Sequence, residues 1–249
     1  MKKSNPPKYL KAHVRALYQR IAACGSANLS RAPVASGAQL AAILGYPVQR
    51  MNLPAEAWQL FAACGNPLQG VEVGLHWRVL DLGCGVGIDA QLVATGLKRP
   101  GLVVGLDLTL EMVQLANTYC GEKASKRCLW VVADGEDIPC KEETFNLVVA
   151  NGSFNLMPHK ERALTEIFRV LLPGGLLVIV DLVRLAEVEG LDQAAEDAWT
   201  WCLAGALSAA EFDSLFDGAG FCRWELQHIS SFEPFASVRL LAHKEQRPL

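Results

Sequence analysis

Apolar residues early in the chain recur at intervals of three and four. Leu10, Val14, Leu17 and Ile21 fall on one face, which predicts a helix over residues 8–23 that Gly25 ends. Lys11, Arg15 and Arg20 lie largely off that face. Residues 1–7, with their Pro pair, read as a frayed start, and residues 28–37 as a loop. Short helices are predicted at 37–44, closed by Gly45, and at 54–63, led by Pro54 and broken by Cys64-Gly65-Asn66-Pro67. From Trp77 onward short apolar runs alternate with helical spacings. Strands are predicted at 78–82, 102–106, 129–133, 147–150, 176–180, 221–228 and 237–243. Helices are predicted at 88–97, 110–120 with Thr109 as cap, 160–171, 191–207 and 209–219. Ala163, Ile167, Val170 and Leu171 form the inward face of 160–171, and Pro173-Gly174-Gly175 turns the chain. This alternation defines a doubly wound α/β domain of seven strands.

The polar residues that end the apolar runs carry the chemistry. Asp81, Asp107, Asp134, Asn151 and Asp181 each follow a strand, and open α/β sheets bind ligands outside the carboxyl ends of their strands. After Asp81 comes Gly83-Cys84-Gly85-Val86-Gly87, whose glycines permit a tight strand-to-helix turn and close approach of backbone to a ligand. The helix that follows offers free N–H groups. Three readings of the turn stand side by side: a structural βα turn, a dinucleotide site, and a site for S-adenosylmethionine. The spacing Gly-x-Gly-x-Gly departs from the dinucleotide pattern Gly-x-Gly-x-x-Gly. It is similar to the first motif of class I S-adenosylmethionine methyltransferases. In that reading Asp81 faces the amino-acid end of the cofactor and Asp107 accepts both ribose hydroxyls, for which a two-oxygen acceptor is suited. Leu108 and Met112 sandwich the adenine, and Asp134, with Gly135 beside it, accepts its amino group.

Composition narrows the class. Half of the 249 residues are apolar, enough for a sizeable core, and no apolar run reaches the length of a membrane span. No secretory leader is read at the start, and the eight cysteines include no Cys-x-x-Cys pair. The expectation is a reducing cytoplasm with free thiols and no metal site. The net charge is −3, but residues 1–50 hold eight basic residues and no acidic one, leaving −11 on the remainder. The basic segment reads as a flap on an acidic body. The acidic body argues against a nucleic-acid surface.

Residues 64–185 resemble the arsenite methyltransferases. The matching pieces are Cys64-Gly65-Asn66-Pro67, the stretch 79–90 ending Gly-Ile-Asp-Ala, and Gly105-Leu106-Asp107-Leu108-Thr109 with Glu111-Met112. Further matches are Asp137-Ile138-Pro139, Asn155-Leu156, residues 169–175, and Trp201-Cys202-Leu203-Ala204-Gly205-Ala206-Leu207. Val14-Arg15-Ala16-Leu17-Tyr18 is similar as well. The resemblance implies a Rossmann-like class I methyltransferase sheet, with an N-terminal helical cap over residues 1–70. The cofactor domain is expected over 71–249, with an inserted helix at about 187–207. It also implies S-adenosyl-L-methionine as cofactor, and cysteine thiolates that hold trivalent arsenic while its lone pair attacks the methyl group. Cys64 and Cys202 stand at two family positions. Gly152 stands where the family has a third cysteine, and the family's N-terminal pair, near Ala27-Asn28, is absent.

The residues leave the acceptor open among three readings. One is an organic small molecule in an apolar pocket, with Asn151, Ser153, Asn155, Trp199, Trp201, His159 and Tyr18 as candidates and His159 as a general base. The second is a trivalent metalloid on Cys64 and Cys202, with Asn151 as a further catalytic candidate. The third is a SAM-binding regulatory or RNA-associated module that uses the basic segment. Oligomeric state is not legible.

Overall fold

A computed structural model describes residues 6–25, 37–96, 101–188 and 202–246. Four helices come first: α1 (Pro6–Cys24), α2 (Gly37–Ile43), α3 (Val48–Met51) and α4 (Ala55–Gln59). The alternating part follows as β1 (Arg78–Leu82), α5 (Ile88–Gly96), β2 (Leu102–Asp107), α6 (Leu110–Tyr119), α7 (Glu122–Ser125), β3 (Cys128–Val132) and β4 (Phe145–Asn151). The chain closes with α8 (Lys160–Val170), β5 (Leu171–Arg184), α9 (Ala209–Asp217), β6 (Phe221–Phe232) and β7 (Phe235–Lys244). No described helix is long and apolar enough to cross a membrane.

The seven strands form one sheet in the order β3-β2-β1-β4-β5-β7-β6. All pairings are parallel except those of β7, which runs antiparallel to β5 and β6. Strand order reverses between β1 and β4, and that reversal opens a crevice at their carboxyl ends. The two-residue period of a strand assigns side chains to faces. In β1, Leu80 and Leu82 enter the larger core with α8 and α9, while Val79 points to the face covered by α5. Asp81 shares the Val79 face, so its carboxylate reaches α5, where Oδ2 accepts the Ala90 N–H at 2.9 Å.

The first four helices lie over this crevice. Leu17 and Ile21 of α1 pack with Tyr46, Trp58, Phe61, Val86, Ile88 and Met112 in a third cluster. Lys11 lies off that face, as expected, but is not left in solvent. Its Nζ donates to Asp134 Oδ2 and Glu136 Oε2, each at 2.6 Å. The ammonium docks at the rim of the crevice, where Lys11 joins the cavity lining. Glu136 is 1% exposed, and its other oxygen accepts the His159 N–H. Lys11→Met therefore leaves a buried carboxylate without its cation. Discounted for the partial exposure of the pair, the loss is about 2 kcal/mol. For a chain of this size that is a melting temperature lower by roughly 4–8 °C. Calorimetric unfolding checks it, and Glu136→Gln added to Lys11→Met is expected to recover part of the loss.

Several local expectations are corrected. Helix α4 stops at Gln59 rather than at 63. The backbone beyond is committed elsewhere: the Cys64 N–H goes to Asn151 Oδ1 and the Gly65 carbonyl accepts from Tyr46 and Asn151. Of the helix expected at 191–207, residues 191–201 lie outside the described residues and 202–207 are not helical. There Leu207 bridges Val183, and its carbonyl accepts the Arg184 N–H at 2.9 Å. Thr109 does not cap α6 with its side chain; its amide and hydroxyl both turn to Asp107. Helices α3 and α7, four residues each, are too short to show a period. Strands β6 and β7 and the carboxyl end of β5 run longer than expected, because the antiparallel hairpin extends their ladders past the apolar runs. Strand β5 also starts early, at Leu171, which pairs with Phe145 of β4, so Pro173-Gly174-Gly175 lies within the strand.

Candidate active site

A cavity opens at the carboxyl ends of β1, β2 and β4 beneath α1. It is lined by Asp81, Gly83, Cys84, Gly85, Asp107, Leu108, Met112, Asp134, Gly135 and Asn151. Each of these was named from the strand ends and the turns after them. Gly87, named with them, does not line it. A Cβ at Gly87 would stand 2.3 Å from the Trp130 ring, so this glycine lets α5 close onto β3. Gly83 is a packing position too, with Ser153 Cβ 2.3 Å from where its own would be. At Gly85, by contrast, nothing lies within 4 Å of that point, and the backbone is bare toward the cavity.

The carboxylates there are held rather than solvated. Asp107 Oδ2 accepts the Gly85 N–H at 2.9 Å and Oδ1 the Thr109 N–H at 2.8 Å. These bonds fix the carboxylate at the end of β2 and leave lone pairs for further donors. Burial raises its pKa above the ordinary aspartate value, against those hydrogen bonds. Burial likewise raises Asp81 well above that value, with the nearby charge of Asp89 adding to it. Asp134 Oδ1 accepts the Glu136 N–H while Oδ2 holds Lys11.

Asn151 ends β4 on the other side of the crevice, and its amide is already engaged. Oδ1 accepts the Cys64 N–H at 3.1 Å, while Nδ2 donates to the Gly65 carbonyl and to Asp89 Oδ2, each at 2.9 Å. Tyr46 donates to Asp89 Oδ1 at 2.6 Å. Burial pushes Asp89 up to about 6 despite these two donors. Asn151 thus ties the Cys64 loop to α5.

The two candidate cysteines converge on Gly152. A Cβ at Gly152 would lie 3.5 Å from Cys64 Sγ, and Cys202 Sγ donates to the Gly152 carbonyl at 3.4 Å. Gly152 itself lines the cavity, whereas Cys64 and Cys202 are not among the lining residues. Gly152 has φ +62° and Cys202 φ +63°, both left-handed, and at Cys202 this is an uncommon conformation of the kind that clusters at functional sites. Burial raises both thiols well above the ordinary cysteine value. For Cys202 the charges of Asp181 and Cys64 add to the effect. Lys160, buried beside them and pushed down to about 8 by desolvation, works the other way on Cys202.

The remaining acceptor candidates fall into place. Ser153 donates to the Leu82 carbonyl at 2.6 Å and packs against Gly83. Asn155 is fully buried, with its N–H on Asp181 and its amide on the Leu182 carbonyl. His159 is exposed at the start of α8 and is not among the residues that line the cavity. Tyr18 lines the cavity, and burial with the fields of Cys202 and Asp107 raises its hydroxyl. Trp199 and Trp201 lie outside the described residues. Lys11, Tyr46, Asp89 and Glu136 were missed. Lys11 could have been found from its spacing of three and seven to Val14 and Tyr18, which line the same cavity. The other three depend on contacts between distant segments.

Strand order, glycine turn and acidic strand ends together define the Rossmann-like fold of a class I S-adenosylmethionine methyltransferase. The chain belongs to the methyltransferase domain family, whose model matches residues 76–220. An arsenite methyltransferase of Halobacterium salinarum is 33% identical over 178 residues, 72% of this chain and 46% of its own. The chain thus spans about half the length of that relative. A demethylmenaquinone methyltransferase of Lactiplantibacillus plantarum is 30% identical over 176 residues, 68% of this chain and 70% of its own. The crystal structure of an arsenic(III) S-adenosylmethionine methyltransferase from Chlamydomonas reinhardtii superposes with a TM-score of 0.67 at 26% identity. It covers 79% of this chain and 72% of its own. The chain carries a class I methyltransferase domain and resembles the arsenite methyltransferases.

Proposed function

We propose that this enzyme transfers the methyl group of S-adenosyl-L-methionine to a trivalent arsenic species held by Cys64 and Cys202. One observation carries the reading: two thiols distant in sequence both adjoin Gly152, a residue of the cavity wall. Trivalent arsenic is a soft centre, and thiolate is the ligand it prefers. The names of the relatives point the same way.

The cofactor supplies an electrophilic methyl on a sulfonium that leaves as a neutral thioether. The residues present fit it. The bare backbone at Gly85 admits a ligand closely, and the Asp107 carboxylate, pinned by two N–H groups, keeps lone pairs for a ribose diol. Asp81 and Gly83 are assigned to its amino-acid end, Leu108 and Met112 to the adenine faces, and Asp134 with Gly135 to the adenine edge. Residues 1–70 act as a cap: Val14, Tyr18, Ile21 and Phe61 close the cavity and keep water from the transfer. With a neutral leaving group the protein's share is positioning, so no general base is assigned.

An organic acceptor is the second reading. The apolar wall of Val14, Leu60, Phe61 and Leu156 favours it, together with the demethylmenaquinone relative. Titration calorimetry with S-adenosyl-L-methionine separates the two. Trivalent arsenic, inorganic or mono-organyl, is expected to strengthen cofactor binding, since two ligands of one closed site help each other reciprocally. Cofactor binding indifferent to both arsenicals, with no methylated arsenic formed, would leave the organic acceptor.

A further inference from the structure

We infer that Cys120 and Cys128 form a redox-active dithiol, a site apart from the cavity, which closes to a disulfide by exchange with a low-molecular-weight disulfide such as oxidised glutathione. The two residues stand at the mouth of one short loop. Cys120 follows α6, Cys128 begins β3, and α7 lies between them. Their thiols hydrogen-bond each other, and Cys120 packs against the buried cluster that holds Cys128. The loop is fixed on both flanks. The Gly121 N–H donates to Gln91 Oε1 of α5 at 3.0 Å, Arg127 Nη1 donates to the Ala94 carbonyl at 3.1 Å, and the Arg127 carbonyl accepts the Val103 N–H at 2.8 Å. Within the loop the Ala124 and Ser125 N–H groups both reach the Gly121 carbonyl, each at 2.9 Å. The sulfurs are thus held together by bonds in which they take no part, and a bridge needs little further approach. Neither cysteine lines the cavity, so the site does not depend on the acceptor reading above.

The surroundings assign the two roles. Cys128 is buried, whereas Cys120 is half-buried and can be reached from solvent. Burial raises both thiols, but Cys128 donates its hydrogen bond to Cys120, which lowers Cys120 relative to its partner, and the charge of Asp81 raises Cys128 further. Cys120 therefore yields the first thiolate. A thiolate of raised pKa is scarce but strongly nucleophilic. It attacks one sulfur of R–S–S–R, forms Cys120–S–S–R and expels R–S−. The Cys128 proton passes to that leaving thiolate. The Cys128 sulfur then displaces the second R–S− from Cys120, and this takes from solvent the proton that Cys120 gave up. Two cysteine thiols are oxidised by two electrons in all, and one external disulfide is reduced to two thiols. The loop favours an anionic disulfide, since Lys123, Lys126 and Arg127 outnumber Glu122 there.

The test treats the full chain, reduced with a phosphine and then freed of it, with oxidised glutathione, and alkylates the remaining thiols in denaturant. Trypsin cuts after Lys123, Lys126 and Arg127, so the bridge joins the peptide that ends at Lys123 to the one that begins at Cys128. Fragmentation separates Cys128 from Cys140 on the second peptide. The bridged form is expected to exceed the glutathione adduct at Cys120 by at least about tenfold, because Cys128 stands at a far higher effective concentration than free glutathione. In Cys128→Ser the adduct at Cys120 is expected to persist instead, and in Cys120→Ser the Cys128 thiol is expected to stay unmodified. Alkylation of both Cys120 and Cys128 in the unaltered chain would overturn the inference, with glutathione on the exposed Cys24 and Cys222 showing that exchange was under way. A bridge from Cys120 to Cys140 would overturn it as well. The unaltered chain decides the matter even if neither variant folds.

Discussion

Exchanging Cys64 and Cys202 together for serine is expected to lower arsenic methylation by at least about a hundredfold while cofactor affinity stays within about twofold. Serine nearly matches cysteine in shape, and the Cys202 thiol already donates to the Gly152 carbonyl, a bond that a hydroxyl can keep. The fold is therefore retained, and the loss falls on the soft donor. Each single variant is expected to lose almost as much as the double, because one sulfur cannot chelate and residues acting as a unit do not add. Cys222→Ser, at an exposed position, serves as the control. Methyl transfer is read from the arsenic products and cofactor affinity by calorimetry. Undiminished arsenic methylation by the double variant would remove these thiols from the reaction.

Asp107→Ala is expected to weaken S-adenosyl-L-methionine binding by about a hundredfold. Hydrogen bonds to a charged group contribute about 1.5–3 kcal/mol each, and losing two to the ribose is worth roughly 3 kcal/mol, or about two decades in Kd. The variant also strips the acceptor from the Gly85 and Thr109 N–H groups, so the glycine turn loosens in the free enzyme. Asp107→Asn is expected to fall between, since it turns a donor toward one of those N–H groups. Because burial already raises this carboxyl, cofactor affinity declines on acidification sooner than an exposed aspartate would allow. Calorimetry across pH reads both effects, and an affinity unchanged in Asp107→Ala would remove the ribose assignment.

The cofactor half of the site was legible because it is local. Two-residue alternation, glycines in a βα turn and a polar residue at each strand end place Asp81, Asp107, Asp134 and Asn151 around one cavity with no knowledge of distant contacts. Even there the turn held an ambiguity, since Gly85 is bare toward the ligand space, Gly83 lines that space and also packs tightly, and Gly87 serves packing alone. Only the neighbours Ser153 and Trp130, brought in from other strands, separate them. Asn151 shows the same limit. It stood at the expected strand end, yet its amide is bound to Cys64, Gly65 and Asp89, so its work is to hold a loop.

Sequence alone determined the order of the seven strands, the doubly wound class, the glycine turn and the row of strand-end carboxylates, because each follows from spacing within a few residues. Tertiary structure decided that Cys64 and Cys202 adjoin Gly152, that Lys11 brings α1 onto Asp134 and Glu136, and that Asp89 and Tyr46 join the Cys64–Gly65 loop to α5. The physical reason is the reversal of strand order between β1 and β4. It gathers segments distant in sequence into one crevice, and local periodicity carries no record of which of them will meet.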